Sequence, residues 1–329
     1  MKLADLTGHE EIIRALRRAV EQNRASHAYL FAGPEGVGKT TTALAFGAAL
    51  LCRNPEQGDA CGRCRDCRQV AARNHPDLHR LVPEGASIKI GQVREVLRLI
   101  TLSPFQGQRQ VFVVEQSDLM TQEAANCLLK TLEEPPAGTV LILISDRPHA
   151  LLPTIISRCQ VLTFQPLLPE QVSVILKRVT DAPDEEVELL SRLSGGCPGR
   201  AVRLAGTEGG YFGLRQKMLD LAAGLNRASL AEALQLAAAV AGDKEDALTC
   251  LELFLLWYRD LLVCKETGTP ELLFNRDLFP LIDREARIYS RGRLLRIIKE
   301  IEKTRDSLLA NVNTRLAMEM LFMRLAGAG

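Results

Sequence analysis

The sequence predicts an α/β domain built on a parallel sheet, with an all-helical region after it. Three observations carry that prediction. Gly33-Pro34-Glu35-Gly36-Val37-Gly38-Lys39-Thr40 fits G-x-x-x-x-G-K-[ST]; it stands between a short apolar run, Ala28 to Phe31, and a helix-forming run, Thr41 to Leu51. Further all-apolar runs of strand length alternate with helical patterns as far as Phe164. From Pro166 onward no strand pattern recurs and the periodic segments are helical.

The chain has 329 residues, enough for two or three domains. A net charge of +1 supplies no global field for nucleic acid or a membrane surface, so any such contact needs a local basic patch. No apolar run approaches the roughly 18 residues of a membrane span. Met1-Lys2-Leu3-Ala4-Asp5 lacks the apolar stretch of a signal peptide. A cytoplasmic protein is expected, and its nine cysteines are expected to be reduced or on metal.

Along the chain, Glu11 to Gln22 reads as a helix with Ile12, Ile13, Leu16 and Val20 on its apolar face. In the loop that follows the first strand, glycines let the backbone wrap an anion, and the N–H groups opening the next helix point at a β-phosphate. Lys39 would reach the β- and γ-phosphates and the Thr40 hydroxyl would bind Mg²⁺. Gly33, Gly36, Gly38, Lys39 and Thr40 are therefore the expected nucleotide-binding residues.

Cys52, Cys61, Cys64 and Cys67 form a C-x8-C-x2-C-x2-C spacing. Four thiolates this close suit one tetrahedral Zn²⁺, and Arg63, Arg65 and Arg68 would offset part of the negative charge of the four-thiolate site. An iron–sulfur site and unliganded thiols are the alternatives; the ferredoxin spacing is absent, since no cysteine lies three residues past Cys67 and no Cys-Pro follows. A closed four-cysteine site is structural, stapling an insert of about residues 52–80 without doing chemistry. His75 and His79 lie near enough in sequence to replace a ligand.

Residues 88–102 read as a helix and Ser103 to Gly107 as a turn. The strand Val111 to Val114 ends in Glu115-Gln116, where a P-loop ATPase carries its Walker B carboxylates. Glu115 keeps the charge on a side chain one methylene longer than aspartate, and Gln116 cannot accept a proton; the pair weighs against a working ATPase. A helix from Thr121, its expected N-cap, to Glu133 stops at Pro135-Pro136. Val140 to Ile144 is a strand followed by Ser145 and Asp146; Leu151 to Ile156 leads through Ser157-Arg158-Cys159 to a last strand, Val161 to Phe164. Pro169 to Val179, Asp184 to Leu193 and Pro198 to Ala205 read as three short helices. Then come Leu214 to Leu225, Ser229 to Val240, Glu245 to Val263 and one long segment from Arg291 to Leu325. With 5% aromatic residues the sequence offers no base-stacking surface.

These residues together resemble the clamp-loader subunits of bacterial DNA polymerase III, which are AAA+ proteins. The likeness is strong over residues 1 to about 205 and weak beyond. It rests on Gly8-His9-Glu10, on His27 to Thr40, on the four-cysteine insert, on Ala124 to Pro136 and on Leu151 to Cys159. The resemblance implies an AAA+ P-loop domain over 1–166 with a zinc insert, a helical lid over 167–207 and an all-α collar over 208–329. It implies that Arg158 reaches a neighbouring subunit's ATP as an arginine finger and that Arg200 is a lid arginine sensing nucleotide in cis. Asp146 stands where the family has a polar sensor. Asn311 to Ala317 is similar to a stretch near the end of the collar. The implied cofactors are structural Zn²⁺ and ATP with Mg²⁺. The implied partners are the other loader subunits, delta and gamma/tau, in a hetero-oligomeric ring, with the sliding clamp and primed DNA reached through that complex and no membrane.

The expected role is a non-motor, stator-like loader subunit. A motor subunit is the runner-up, opposed by Glu115-Gln116 and by a chain that stops at Gly329 without a proline- or charge-rich extension. A stand-alone P-loop enzyme would need its own base, finger and substrate pocket. A zinc-dependent DNA-binding module lacks a recognition helix beside the cysteines and a basic surplus.

Overall fold

The computed structural model describes residues 1–206, 210–225, 228–240, 242–310 and 312–326. The described residues fall into two compact units, Met1–Val179 with Ser194–Val202 and Thr180–Leu193 with Arg203–Gly329.

The first unit is organised by a parallel sheet of β1 (Ala28–Ala32), β2 (Leu78–Leu81), β3 (Gln110–Val114), β4 (Thr139–Ser145) and β5 (Gln160–Thr163), in the order β2-β3-β4-β1-β5. Every residue of β1, β3 and β4 is buried, because helices cover both faces, and this is why these strands are apolar without alternation. Side chains still alternate between two cores. Tyr29, Phe31, Val111, Val113, Ile142 and Ile144 point to one core, which α1 (Glu10–Glu21) and α2 (Lys39–Leu51) close with Leu16 and Phe46. Leu30, Phe112, Val114, Leu141 and Leu143 point to the other, closed by Val93 and Val96 of α4 (Ile90–Ile100) and Leu128 of α5 (Gln122–Glu133). Thr121 is the N-cap of α5, its hydroxyl accepting from the Ala124 N–H at 3.3 Å.

Two elements of this unit go beyond the sequence expectation. The helix α3 (Arg65–Ala71) begins at Cys64, whose sulfur accepts the Cys67 N–H, so it is set by the cysteine knot. The strand β2 pairs with β3 although its sequence, Leu-His-Arg-Leu, has no apolar run. The insert is fastened to the chain's beginning: buried Asp59 accepts the N–H groups of Leu3 at 2.9 Å and Ala4 at 2.8 Å.

After β4 come α6 (Pro153–Ile156), α7 (Pro169–Val179), α8 (Asp184–Leu193) and α9 (Pro198–Ala205). The second unit is otherwise built of α10 (Gly210–Leu225), α11 (Leu230–Val240), α12 (Lys244–Thr267), α13 (Phe279–Ile288), α14 (Arg291–Leu309) and α15 (Thr314–Ala326). The single helix expected from Arg291 to Leu325 is two, α14 and α15. The Asn313 side chain accepts the Leu316 N–H at 3.0 Å and starts the second one. Asn311, part of the expected collar stretch, lies outside the described residues. Trp257 and Tyr258 are buried in α12 rather than offered to bases. No described helix is long and apolar enough to cross a membrane.

Asp260 anchors the loop after α12. Fully buried, it accepts from the Phe274 N–H at 3.1 Å, the Asn275 N–H at 2.8 Å, the Asn275 side-chain amide at 2.9 Å and Arg259 at 2.9 Å. Asp260→Ala orphans buried donors, each costing about 1–3 kcal/mol. We expect about 3 kcal/mol or more of lost stability in urea unfolding; a loss under about 1 kcal/mol would mean that water replaces the carboxylate without cost.

Candidate nucleotide and metal sites

The chain leaves β1 for the far edge of the sheet and returns to place β4 and β5 on either side of it, so the crevice beyond the carboxyl end of β1 lies at a switch in strand order. The P-loop fills that position. Gly33 has φ +154°, and a Cβ on it would stand 2.5 Å from the Phe164 carbonyl oxygen; only glycine lets the ends of β1 and β5 meet there. At the tip of the loop, the Gly36 carbonyl accepts the Gly199 N–H at 2.8 Å, tying the P-loop to the start of α9. A Cβ on Gly199 would lie 2.9 Å from the Gly36 Cα, so this backbone contact requires glycine. Gly38 precedes α2 as its N-cap, and Lys39 and Thr40, both lining the cavity, open the helix, whose first N–H groups have no intrahelical partner.

The cavity measures about 800 Å³, a size suited to a nucleotide-sized ligand. It is lined by the P-loop, by His9, by Glu115 and Gln116, by Asp146 and by Pro198, Gly199 and Val202 of α9. His9 shares a 3.0 Å hydrogen bond with the Val37 carbonyl and stands edge-on to Phe164, which orients the loop from the side. Arg200 follows Gly199 directly, but it is not one of the lining residues.

Three charged groups of the cavity, Lys39, Asp146 and Glu115, form ion pairs within the chain. The Lys39 ammonium, 4% exposed, donates to the Gly33 carbonyl at 2.7 Å, the Pro34 carbonyl at 2.7 Å and the Asp146 carboxylate at 2.6 Å. Burial raises the Asp146 pKa above the usual carboxylate range; Lys39 pulls it down, while the charges of Asp118 and Glu35 push it further up. The end of β4 that presents Asp146 is held from behind: the Ser145 hydroxyl donates to Asp118 at 3.0 Å, and Arg147 donates to the other Asp118 oxygen at 3.2 Å. Glu115 accepts from Arg80 of β2, with the Arg80 Nε at 2.9 Å and a second guanidinium N–H on the same oxygen. Gln116 sits in the left-handed region, φ 47°, at the turn after β3. Sequence reasoning missed Arg80 and Asp118. Arg80 lies on a strand without an apolar signature, and both act across separations of roughly 30 residues that no local pattern reports.

Arg158 lies elsewhere. It follows α6 at the sheet edge where strands begin, since Gln160 of β5 is in register with Tyr29 of β1. Its guanidinium donates to Glu133 at 2.7 Å, the Thr154 carbonyl at 2.9 Å and the Ser157 hydroxyl at 3.3 Å. Burial pushes the neighbouring Cys159 thiol up to about 11, so it stays protonated at neutral pH.

The four insert cysteines converge. Their sulfurs all lie within 4.8 Å of one another, with Cys52–Cys64 and Cys61–Cys67 both at 3.9 Å. Tetrahedral zinc–thiolate bonds of about 2.3 Å place sulfurs about 3.8 Å apart, so the four groups fit the ion. The N–H groups of Cys61, Cys64 and Cys67 each donate to a preceding cysteine sulfur at 3.4 Å, as suits thiolates. Backbone N–H groups, from Arg63 first, bring the Cys61 thiol down to about 6, whereas burial raises Cys52 and Cys67. Buried Asp66, held by Arg53 at 2.8 Å, has one carboxylate oxygen 3.6 Å from His75 Nε2 and the other 4.0 Å from the Cys64 sulfur, so His75 lies beside the knot and outside the set of converging sulfurs. His79 stacks on Phe112 in the sheet.

Comparison with known proteins agrees with this arrangement. A family model described as "DNA polymerase III, delta subunit" matches residues 8–168, and one described as "DNA polymerase III, delta subunit, C terminal" matches residues 214–327. DNA polymerase III subunit delta' of Bacillus subtilis is 32% identical over 318 residues, covering 95% of each chain. The subunit of the same name from Pseudomonas aeruginosa is 40% identical over 205 residues, 61% of each chain, and that from Escherichia coli is 38% identical over 188 residues, 56% of each. B. subtilis subunit tau is 30% identical over 187 residues, which cover 33% of its length. A match that runs nearly end to end, with both halves recognised, places this chain in the family of DNA polymerase III delta-prime subunits.

Proposed function

We propose that the protein is a stator-like, non-motor subunit of the bacterial replicative clamp loader. In this reading it is cytoplasmic and joins delta and gamma/tau subunits in a ring that places the sliding clamp on primed DNA. The observation that carries the non-motor part is the Walker B pair. Gln116 has no carboxylate, and Glu115 is neutralised by Arg80. The P-loop, Lys39 and Thr40 would hold the phosphates of a nucleotide and its Mg²⁺, and the chain's own residues would orient that nucleotide without activating water. Residues 1–166 serve as the AAA+ domain, 167–207 as the lid with Arg200 as its sensor, and 208–329 as the collar. Cys52, Cys61, Cys64 and Cys67 hold a structural zinc ion, which ties the insert together and leaves no position open for substrate.

General-base assistance is worth about 10²–10⁴-fold, so the isolated chain is expected to bind ATP with little turnover. A steady-state assay should give less than about one turnover per second, below a typical enzyme. Faster turnover by the chain alone would favour a motor subunit or a stand-alone enzyme. Gln116→Glu should restore at most part of the activity, because Arg80 still holds Glu115.

Arg158 is proposed as a finger for the neighbouring subunit's nucleotide. Its place at the end of the sheet opposite the P-loop supports this. A five-residue strand spans roughly 16 Å, too far for its side chain to serve the chain's own phosphates.

A further inference from the structure

We infer that the P-loop site is built for a nucleoside diphosphate and discriminates against the γ-phosphate, with Asp146 as the residue that sets the preference. The inference rests on the reading of the cavity as a nucleotide site and goes further by naming the ligand's charge state.

An ammonium group has three N–H donors. All three of Lys39 are engaged: two by the P-loop's own carbonyls, Gly33 and Pro34, and the third by Asp146. A β-phosphate depends less on that third donor, because it has the loop backbone as a partner besides the lysine. Backbone N–H groups at the start of a helix receive such a group, and Gly38, Lys39 and Thr40, which open α2, line the cavity. A γ-phosphate does depend on it, because its partner in a P-loop site is the lysine, and here a carboxylate already occupies the lysine at 2.6 Å. To bind Lys39 a triphosphate must displace Asp146 and then sit beside its charge.

The backbone that carries Asp146 is fixed: Asp146 extends from the end of β4, which is held by the Ser145–Asp118–Arg147 bonds. The rest of the lining adds to the discrimination. With Glu115 neutralised by Arg80, Asp5, Glu35 and Asp146 still line the cavity against Lys39 and Arg178, an acidic surplus that penalises each added phosphate charge. Arg80 neutralises Glu115 and so removes it as a strong Mg²⁺ anchor, which lessens the help a triphosphate draws from its metal ion.

The test is calorimetric titration of the full chain with ADP and with ATP, both in excess Mg²⁺, for wild type and Asp146→Asn. The asparagine keeps the shape and an oxygen for Lys39 while removing the charge, and the wild-type comparison needs no variant at all. Wild type should bind ADP about tenfold or more tighter than ATP, about 1.4 kcal/mol or more. Asp146→Asn should strengthen ATP binding about tenfold more than ADP binding and so abolish the preference. Wild type binding ATP as tightly as ADP, or a variant that strengthens both equally, would overturn the inference and leave the nucleotide site standing. Binding of neither nucleotide by either protein would overturn the nucleotide reading together with it.

Discussion

Replacing Arg158 with alanine is expected to slow the DNA-stimulated ATP hydrolysis of a reconstituted clamp loader while leaving this chain's fold and its own nucleotide affinity unchanged. An arginine finger supplied in trans is worth on the order of 10³–10⁵ in rate at the site that receives it, so the total rate should fall by nearly that site's whole share. The fold should not notice. Arg158 is half-buried, and its one carboxylate partner, Glu133, is exposed, a pair of the kind that contributes about 1 kcal/mol or less. Its other contacts, to the Thr154 carbonyl and the Ser157 hydroxyl, hold the guanidinium at the turn before β5. Arg158→Lys should rescue little, since a point charge lacks the planar fork that meets two phosphate oxygens. Equal rates for complexes carrying wild-type and Arg158→Ala chains would reduce Arg158 to a surface ion pair with Glu133.

The second large effect concerns the metal. The purified chain should carry about one zinc ion by elemental analysis, and Cys61→Ser should lose it. Structural zinc sites bind with apparent free energies of about 10–16 kcal/mol, and that energy is folding energy for whatever segment the ligands organise. Here the segment is the insert with α3, which begins at Cys64, one of the four converging cysteines. The variant should therefore expose residues 52–80 to proteolysis while the far-ultraviolet dichroism of the sheet and its helices persists. The buried runs of β1, β3 and β4 support that persistence, because α1, α2, α4 and α5 supply most of their cover, with Ala60, Cys61, Cys67 and Val70 of the insert joining the α1/α2 core at its edge. Absence of zinc, or iron in its place, would sink the assignment. Loss of the whole first unit in Cys61→Ser would show that the insert is part of the core, with Asp59 and its hold on Leu3 and Ala4 as the first suspect.

The parts of this molecule that were legible in the sequence are those whose cause is local or repetitive. The P-loop is a contiguous motif, the buried strands are contiguous apolar runs, and Thr121 announces its helix by residue type alone. Strand β2 escaped because an edge strand with half-buried His79 and an exposed Arg80 needs no apolar run; it is defined by its partner β3. The break between α14 and α15 escaped because apolar periodicity continues across it, and the Asn313 cap was the overlooked signal. At the site, Lys39, Thr40 and the cysteines were readable. The pairings that decide their chemistry were not: Lys39 meets Asp146 across 107 residues and Glu115 meets Arg80 across 35. Residue types narrow the partners of a buried charge, but only the fold chooses among them.

The position of β1 within the sheet also sets a timetable for synthesis. Its backbone pairs with β4 and β5, beginning with Ala28 beside Leu141 and Tyr29 beside Gln160. At translation rates of about 5–20 residues per second, the segment Ala28–Ala32 waits roughly 5–25 seconds after it is made before either partner exists. All five of its residues are apolar enough to be buried in the finished sheet, so during that interval the nascent chain carries an unpaired, sticky strand. The four cysteines lie between positions 52 and 67 and need no distant partner, so the cysteine knot can close while the strand is still waiting. The chain thus emerges with the cysteine knot ready early and the interior strand β1 completed late, and the exposed interval ends only when β4 and β5 leave the ribosome.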